Sequence, residues 1–245
     1  MRGVSMTDDT DLIVAQAKGS GASGIKLYAD LSAELAAKII SSAREQQFPV
    51  WAHAAVIPAS PQDLASAGIQ SLSHATLLAW ATADSLPATG MNRYAKTKLN
   101  SNSAAFQALL KTMAEHTIYL EPTLNVYAKK DDRYIYDNGV KATQAAVSAG
   151  VPIIAGTDAV ISLRDFRYPA LIDEMIALAE EGGMSPMAVI KSATINPARL
   201  LNIDDITGSV EPGKKASFII LKGNPVDDLR VLKSPYEVWK NGQKL

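Results

Sequence analysis

Five short apolar runs recur along the first two thirds of the chain: GIKLY (24–28), FPVWAHA (48–54), IQSLSHA (69–75), TIYLEPT (117–123) and VPIIAGTDA (151–159). Gly and Pro punctuate them, and stretches with helical spacing separate them. Apolar run, helix, apolar run is the pattern of a parallel sheet with crossover helices. Ser32 stands ahead of the Leu35, Ile39, Ile40 stripe as an N-cap. Ser60-Pro61-Gln62-Asp63 supplies a cap, a proline at the first helical position and an acid three residues after the cap. Gly68 and Gly150 close helices that lead straight into strands. Further helices are expected over 168–182 and, opened by Ser185-Pro186, over 185–200.

Two stretches break the rhythm. Residues 76–102 form a long polar insert, expected as a lid or a mobile loop. From Thr207 onward short alternating segments with Gly and Pro turns predict a small antiparallel β element. The expected division is a barrel-type layer over 1–203 and C-terminal strands over 204–245.

Of the 245 residues 47% are apolar, enough for one large core. Lys and Arg number 24 against 25 Asp and Glu, and no basic run is interleaved with aromatics, so neither nucleic acid nor an anionic membrane is indicated as a partner. Cysteine is absent, which leaves a metal only His and carboxylate ligands or something unusual. The start, MRGVSMTDDTDLIVAQ, has no apolar core of signal-peptide length and no bilayer span, so the chain as written is expected to be cytoplasmic.

In a parallel α/β sheet, chemistry collects at the C-terminal strand ends. His53 ends the second run, His74 the third and Asp158 the fifth. Two of the three histidines thus occupy equivalent places on successive strands and are expected to converge. Two imidazoles and a carboxylate suit zinc or a similar divalent ion. Lys26 lies inside the first run between Ile25 and Leu27 and reads as buried. Desolvation would favour its neutral amine, which can take up carbon dioxide as a carbamate and become an anionic metal bridge. Each reading has a rival. A strand-end histidine often serves as a hydrogen-bonded structural residue, Asp158 can cap a following helix, and Lys26 can lay its stem on apolar neighbours with the ammonium at the rim. His116, near a helix C-terminus, reads as structural. Tyr28, Tyr127 and Arg164 fall on strand-end loops as candidate substrate contacts, with packing or surface roles as the alternative.

The ordered set GIKLY, WAHA, LSHA, AGTDA, SATINPARLLNI and GSVEPGKKASFIIL resembles the amidohydrolase superfamily, in its imidazolonepropionase-like and Xaa-Pro-dipeptidase-like branch. The resemblance implies an α/β fold. It would be the C-terminal part, about strands four to eight, of a (β/α)8 TIM-type barrel, plus a small C-terminal antiparallel β element. It implies one or two divalent ions, zinc first among them, with Lys26 carboxylated and bridging the two. His53 and His74 would bind one ion, and Asp158 would bind the other and act as the catalytic base. The implied activity is hydrolysis of a C–N bond in a small amide, peptide or cyclic amide by a metal-activated hydroxide. The chain departs from the family by lacking a His-X-His pair and counterparts of the first three strands, and by carrying Ser217 in KKASFIIL where an aspartate is usual. It therefore reads as the C-terminal portion of a longer enzyme. The alternatives are a catalytically incomplete chain completed by an N-terminal segment or a second copy in a homo-oligomer, and a non-catalytic α/β binding domain.

Overall fold

The computed structural model describes residues 3–90, 97–128, 133–159 and 167–245. After α1 (Thr10–Gly19) the chain alternates as expected: β1 (Ile25–Leu27), α2 (Ala33–Glu45), β2 (Val50–His53), α3 (Pro61–Ser66) and β3 (Ser71–Ser73). A buried 3-10 helix (Ala75–Thr82), α4 (Ala104–Glu115), β4 (Tyr119–Glu121), α5 (Asn125–Ala128) and α6 (Arg133–Ser148) follow. The four strands form one parallel sheet in chain order.

Register sorts the side chains into two faces. Leu27, Ala52, Leu72 and Leu120 are cross-strand partners, all buried, in the same core cluster as Leu35, Ile39 and Ile40 of α2 and Leu64 of α3. One pleat to either side, Lys26, Trp51, Ser71 and Tyr119 form one row and His53, Ser73 and Glu121 the next, both on the opposite face. That alternation places the polar strand-end residues together.

The predicted caps are present. Ser32 accepts from the Leu35 amide at 3.1 Å. Ser60 and Asp63 cap each other's backbone around Pro61. Gly68 and Gly150 have φ of 84° and 79°, a region open to glycine at no steric cost.

Four expectations are corrected. VPIIAGTDA is not a strand: it makes one parallel bridge, Leu120 to Ile153, with the Leu120 amide donating to Pro152 O and the Ile154 amide to Leu120 O, both at 2.9 Å. Pro152 has no amide to extend the ladder. The helix expected over 185–200 is two helices, α8 (Pro186–Ser192) and α9 (Ile195–Leu200), after α7 (Leu171–Glu180) in the region expected over 168–182. The break falls at Thr194 (φ −132°, ψ −87°), three residues before Pro197, which cannot donate to a continuous ladder. The insert over 76–102 does not begin as a polar lid: Leu77, Leu78 and Trp80 are buried in the main core, because this stretch is apolar and packs against α6. Its residues 91–96 lie outside the described residues. Finally, Lys26 is exposed. Among the described residues β1 is an edge strand, paired with β2 alone, so flanking apolar residues do not bury it.

The C-terminal β5 (Phe218–Ile220), β6 (Glu237–Lys240) and β7 (Gln243–Lys244) form a separate antiparallel sheet, as expected. Among the described residues no helix is long and apolar enough to cross a membrane.

Candidate active site

The strand ends gather two imidazoles. His53 closes β2, and His74 follows β3 with φ 71°, its amide donating to Glu121 O at 2.8 Å. Both rings are buried, with centroids 4.6 Å apart and planes at 71°. The sequence-based convergence of the two is therefore what the structure shows. His74 Nδ1 lies 2.8 Å from Thr123 Oγ1, and its Nε2 lies 3.9 Å from Asp158 Oδ2. The Asp158 side chain is 52% exposed, so it stands at the rim of the imidazole pair and not within it.

Two of the three predicted substrate contacts sit in the same row of rings. The ring of Tyr28 packs on His53 at 4.3 Å, and the residue is 40% exposed. Tyr127 lies edge-on to His74 at 6.2 Å but is buried on α5, so it is a wall residue in this conformation. Arg164 lies outside the described residues. His116 is the exposed C-cap of α4, away from the strand ends, in keeping with its structural reading.

Lys26 reaches the strand-end face through a hydrogen bond, although it is not buried. Its Nζ donates to Ser73 Oγ at 3.1 Å, and Ser73 in turn donates to Glu121 Oε2 at 2.5 Å. Glu121 fits because position 156 is glycine: a Cβ there would stand 1.8 Å from Glu121 Oε1. Sequence reasoning missed Ser73 and Glu121. The signal for Glu121 was available, since it ends β4 as His53 ends β2.

A third carboxylate lies behind the site. Glu174 of α7 is fully buried, and its two oxygens accept from the amides of Leu124 and Asn125 at 2.9 and 2.7 Å. Burial pushes its carboxyl up to about 7; the two amides oppose the rise and the nearby Glu121 charge adds to it. LIDEMIALAE reads as a helix with an acid in its first turn, so nothing in the sequence marked this residue as interior.

The donor types suit a divalent ion, but the cage is not closed. Among the described residues no three His, Cys, Asp or Glu side chains are grouped to hold a metal. What is present is an imidazole pair with a carboxylate beside it.

Residues 10–245 match the model of the Amidohydrolase family. The chain belongs to this family. Among its relatives are the ochratoxinase of Aspergillus niger, 36% identical over 111 residues, and adenine deaminase 4 of Rhizobium meliloti, 33% identical over 116 residues. These alignments take in 44% and 47% of this chain but only 22% and 18% of the relatives. A crystal structure of a Xaa-Pro dipeptidase with methionine bound in its active site superposes with a TM-score of 0.74 at 25% identity, over 96% of this chain and 57% of that one. The A. niger ochratoxinase structure gives 0.74 at 24% identity, over 98% and 55%. The fold is thus of the α/β TIM-barrel type, and the chain spans little more than half the length of the solved structures it matches.

Proposed function

We propose that this chain carries the C-terminal part, about strands four to eight, of an amidohydrolase barrel over 1–203, with the strands of 204–245 as its outer β element. We propose further that it contributes to metal-dependent hydrolysis of a C–N bond in a small amide, peptide or cyclic amide. The observation that carries this reading is the contact of His53 with His74 at successive strand ends, with Asp158 Oδ2 3.9 Å from Nε2 of His74. Neutral imidazole and carboxylate are the ligands that zinc and similar ions take up in catalytic sites. His53, His74 and Asp158 would hold such an ion, and Lys26 would join them as a carbamate. Bound there, the ion supplies Lewis acidity toward a carbonyl and toward water.

The chain's own groups define the rest. Asp158, half exposed and at the rim, can take a proton on Oδ2 and hand it to a departing nitrogen. Tyr28, partly exposed and packed on His53, is a candidate aromatic contact for substrate, and Arg164 is a further candidate for holding it. Lys26, tethered to Ser73, faces the same strand-end region. Its exposure, with β1 at a sheet edge and no closed ligand group among the described residues, favours a site completed by further strands. These would come from another segment or a second copy.

Metal content measured on purified protein tests the reading. Wild type is expected to bind zinc, and His53→Ala and His74→Ala to bind at least tenfold more weakly. Unchanged zinc in both variants sinks it. Size and amidase activity measured on the same samples separate a self-sufficient chain from one that needs its barrel completed.

A further inference from the structure

We propose that Glu121 is the positioning residue for Lys26, acting through the hydroxyl of Ser73. Its bearing on the site rests on the reading of Lys26 as a metal ligand. Lys26 is exposed and stands on an edge strand, and fixing the end of its flexible stem costs rotamer freedom. A single hydrogen bond to an ordinary hydroxyl offsets only part of that cost. Yet Nζ reaches across β2, from the row that pairs Lys26 with Trp51 to the row that pairs His53 with Ser73, and donates to Ser73 Oγ at 3.1 Å.

Ser73 is no ordinary hydroxyl, because its one proton is already committed. It donates to Glu121 Oε2 at 2.5 Å, and Ser73 is 0% exposed, so bulk water does not compete for either contact. An ammonium only donates and a carboxylate only accepts, which fixes the order: Lys26 gives to Ser73, and Ser73 gives to Glu121. Hydrogen bonds to a carboxylate are among the strong ones, and a hydroxyl that donates in one becomes the better acceptor at its oxygen. The carboxylate is held in turn. Glu121 is the cross-strand partner of Ser73, and only a glycine at 156 leaves it room, since a Cβ there would stand 1.8 Å from Oε1. The same Ser73 lone pair would serve a carbamate, whose nitrogen keeps one N–H. A role limited to joining β4 to β3 would not reach the Lys26 nitrogen, and this difference makes the assignment testable.

The test uses the full chain, labelled with 13C,15N-lysine, free of metal and in buffer free of carbon dioxide. The Lys26 side chain is read by proton–carbon–nitrogen correlation and assigned by its loss in Lys26→Ala. A zinc titration against a chromophoric chelator runs in parallel. Wild type is expected to show the two Cε protons of Lys26 at separate shifts, the mark of a side chain held in one place. Ser73→Ala, Glu121→Gln and Gly156→Ala should each merge them into one signal. The first removes the acceptor, the second removes the charge, and the third displaces the carboxylate. Ser73→Thr, which keeps the hydroxyl, should match wild type. The three releasing variants should also bind zinc roughly tenfold more weakly. Merged signals in wild type overturn the proposal, and separate signals in Ser73→Ala overturn the path through Ser73. Separate signals in Glu121→Gln and Gly156→Ala overturn the role of Glu121. If the signals merge as expected while zinc binding is unchanged, the metal-ligand reading of Lys26 fails and the positioning assignment stands.

Discussion

Replacing Glu174 with Gln should flatten a specific part of the protein's pH–stability profile. The carboxyl is fully buried, and burial raises it from an ordinary 4.5 to about 7. Between these values the folded chain keeps a proton that the unfolded chain has released, so stability falls as pH rises through the window and levels off above about 7. At about 1.4 kcal/mol for each pKa unit, the change amounts to about 3 kcal/mol. Glutamine does not titrate, so the wild-type stability minus that of Glu174→Gln should fall by about 3 kcal/mol between pH 4.5 and pH 8, whatever the offset between the two proteins. Urea titrations at four or five pH values, followed by the fluorescence of Trp51 and Trp80, give the difference directly. Taking the difference removes the titration of groups that the substitution leaves alone; Glu121 and Tyr136, whose charges couple to Glu174, are the two to control for. A difference that stays flat, or that rises with pH, would show that the Glu174 carboxyl is not held up by burial.

Two further substitutions probe the packing of the site and of the fold. Gly156→Ala should displace Glu121 and cost about 1–3 kcal/mol, because the new Cβ would overlap its carboxylate. Adding Glu121→Ala should recover part of that loss, and strictly additive costs in the double-mutant cycle would refute the contact. Ser60→Ala should lower stability by about 1 kcal/mol through the lost capping box on α3, leaving zinc binding unchanged, with thermal melting and the chelator assay as the two measurements.

The strand ends were legible because topology and chemistry coincide there. His53, His74 and Asp158 each close an apolar run, and in a parallel arrangement such ends share one edge of the sheet. The caps at Ser32, Ser60, Gly68 and Gly150 were equally readable, because helix ends are set by local backbone groups and the nearest side chains. Lys26 was misread for a physical reason. Flanking Ile25 and Leu27 say which face of the strand is apolar, but whether the other face is covered depends on a neighbour that the local sequence does not name.

The same distinction separates Glu121 from Glu174. Glu121 carried a signal, its place at the end of β4, but its fit against Gly156 and its bond to Ser73 join residues 35 and 48 positions away. Glu174 carried none: an acid in the first turn of an amphipathic helix is an ordinary surface feature, and only the docking of α7 against the β4–α5 turn buries it. By itself, the sequence determined the alternation of β1 to β4 with helices, the caps at Ser32, Ser60, Gly68 and Gly150, and the delivery of His53 and His74 to neighbouring strand ends, since these follow from periodicity and near-neighbour hydrogen bonding. Tertiary structure alone decided which charges are buried and which distant side chains meet at the strand ends, because burial and long-range hydrogen bonds are made between elements far apart in the chain.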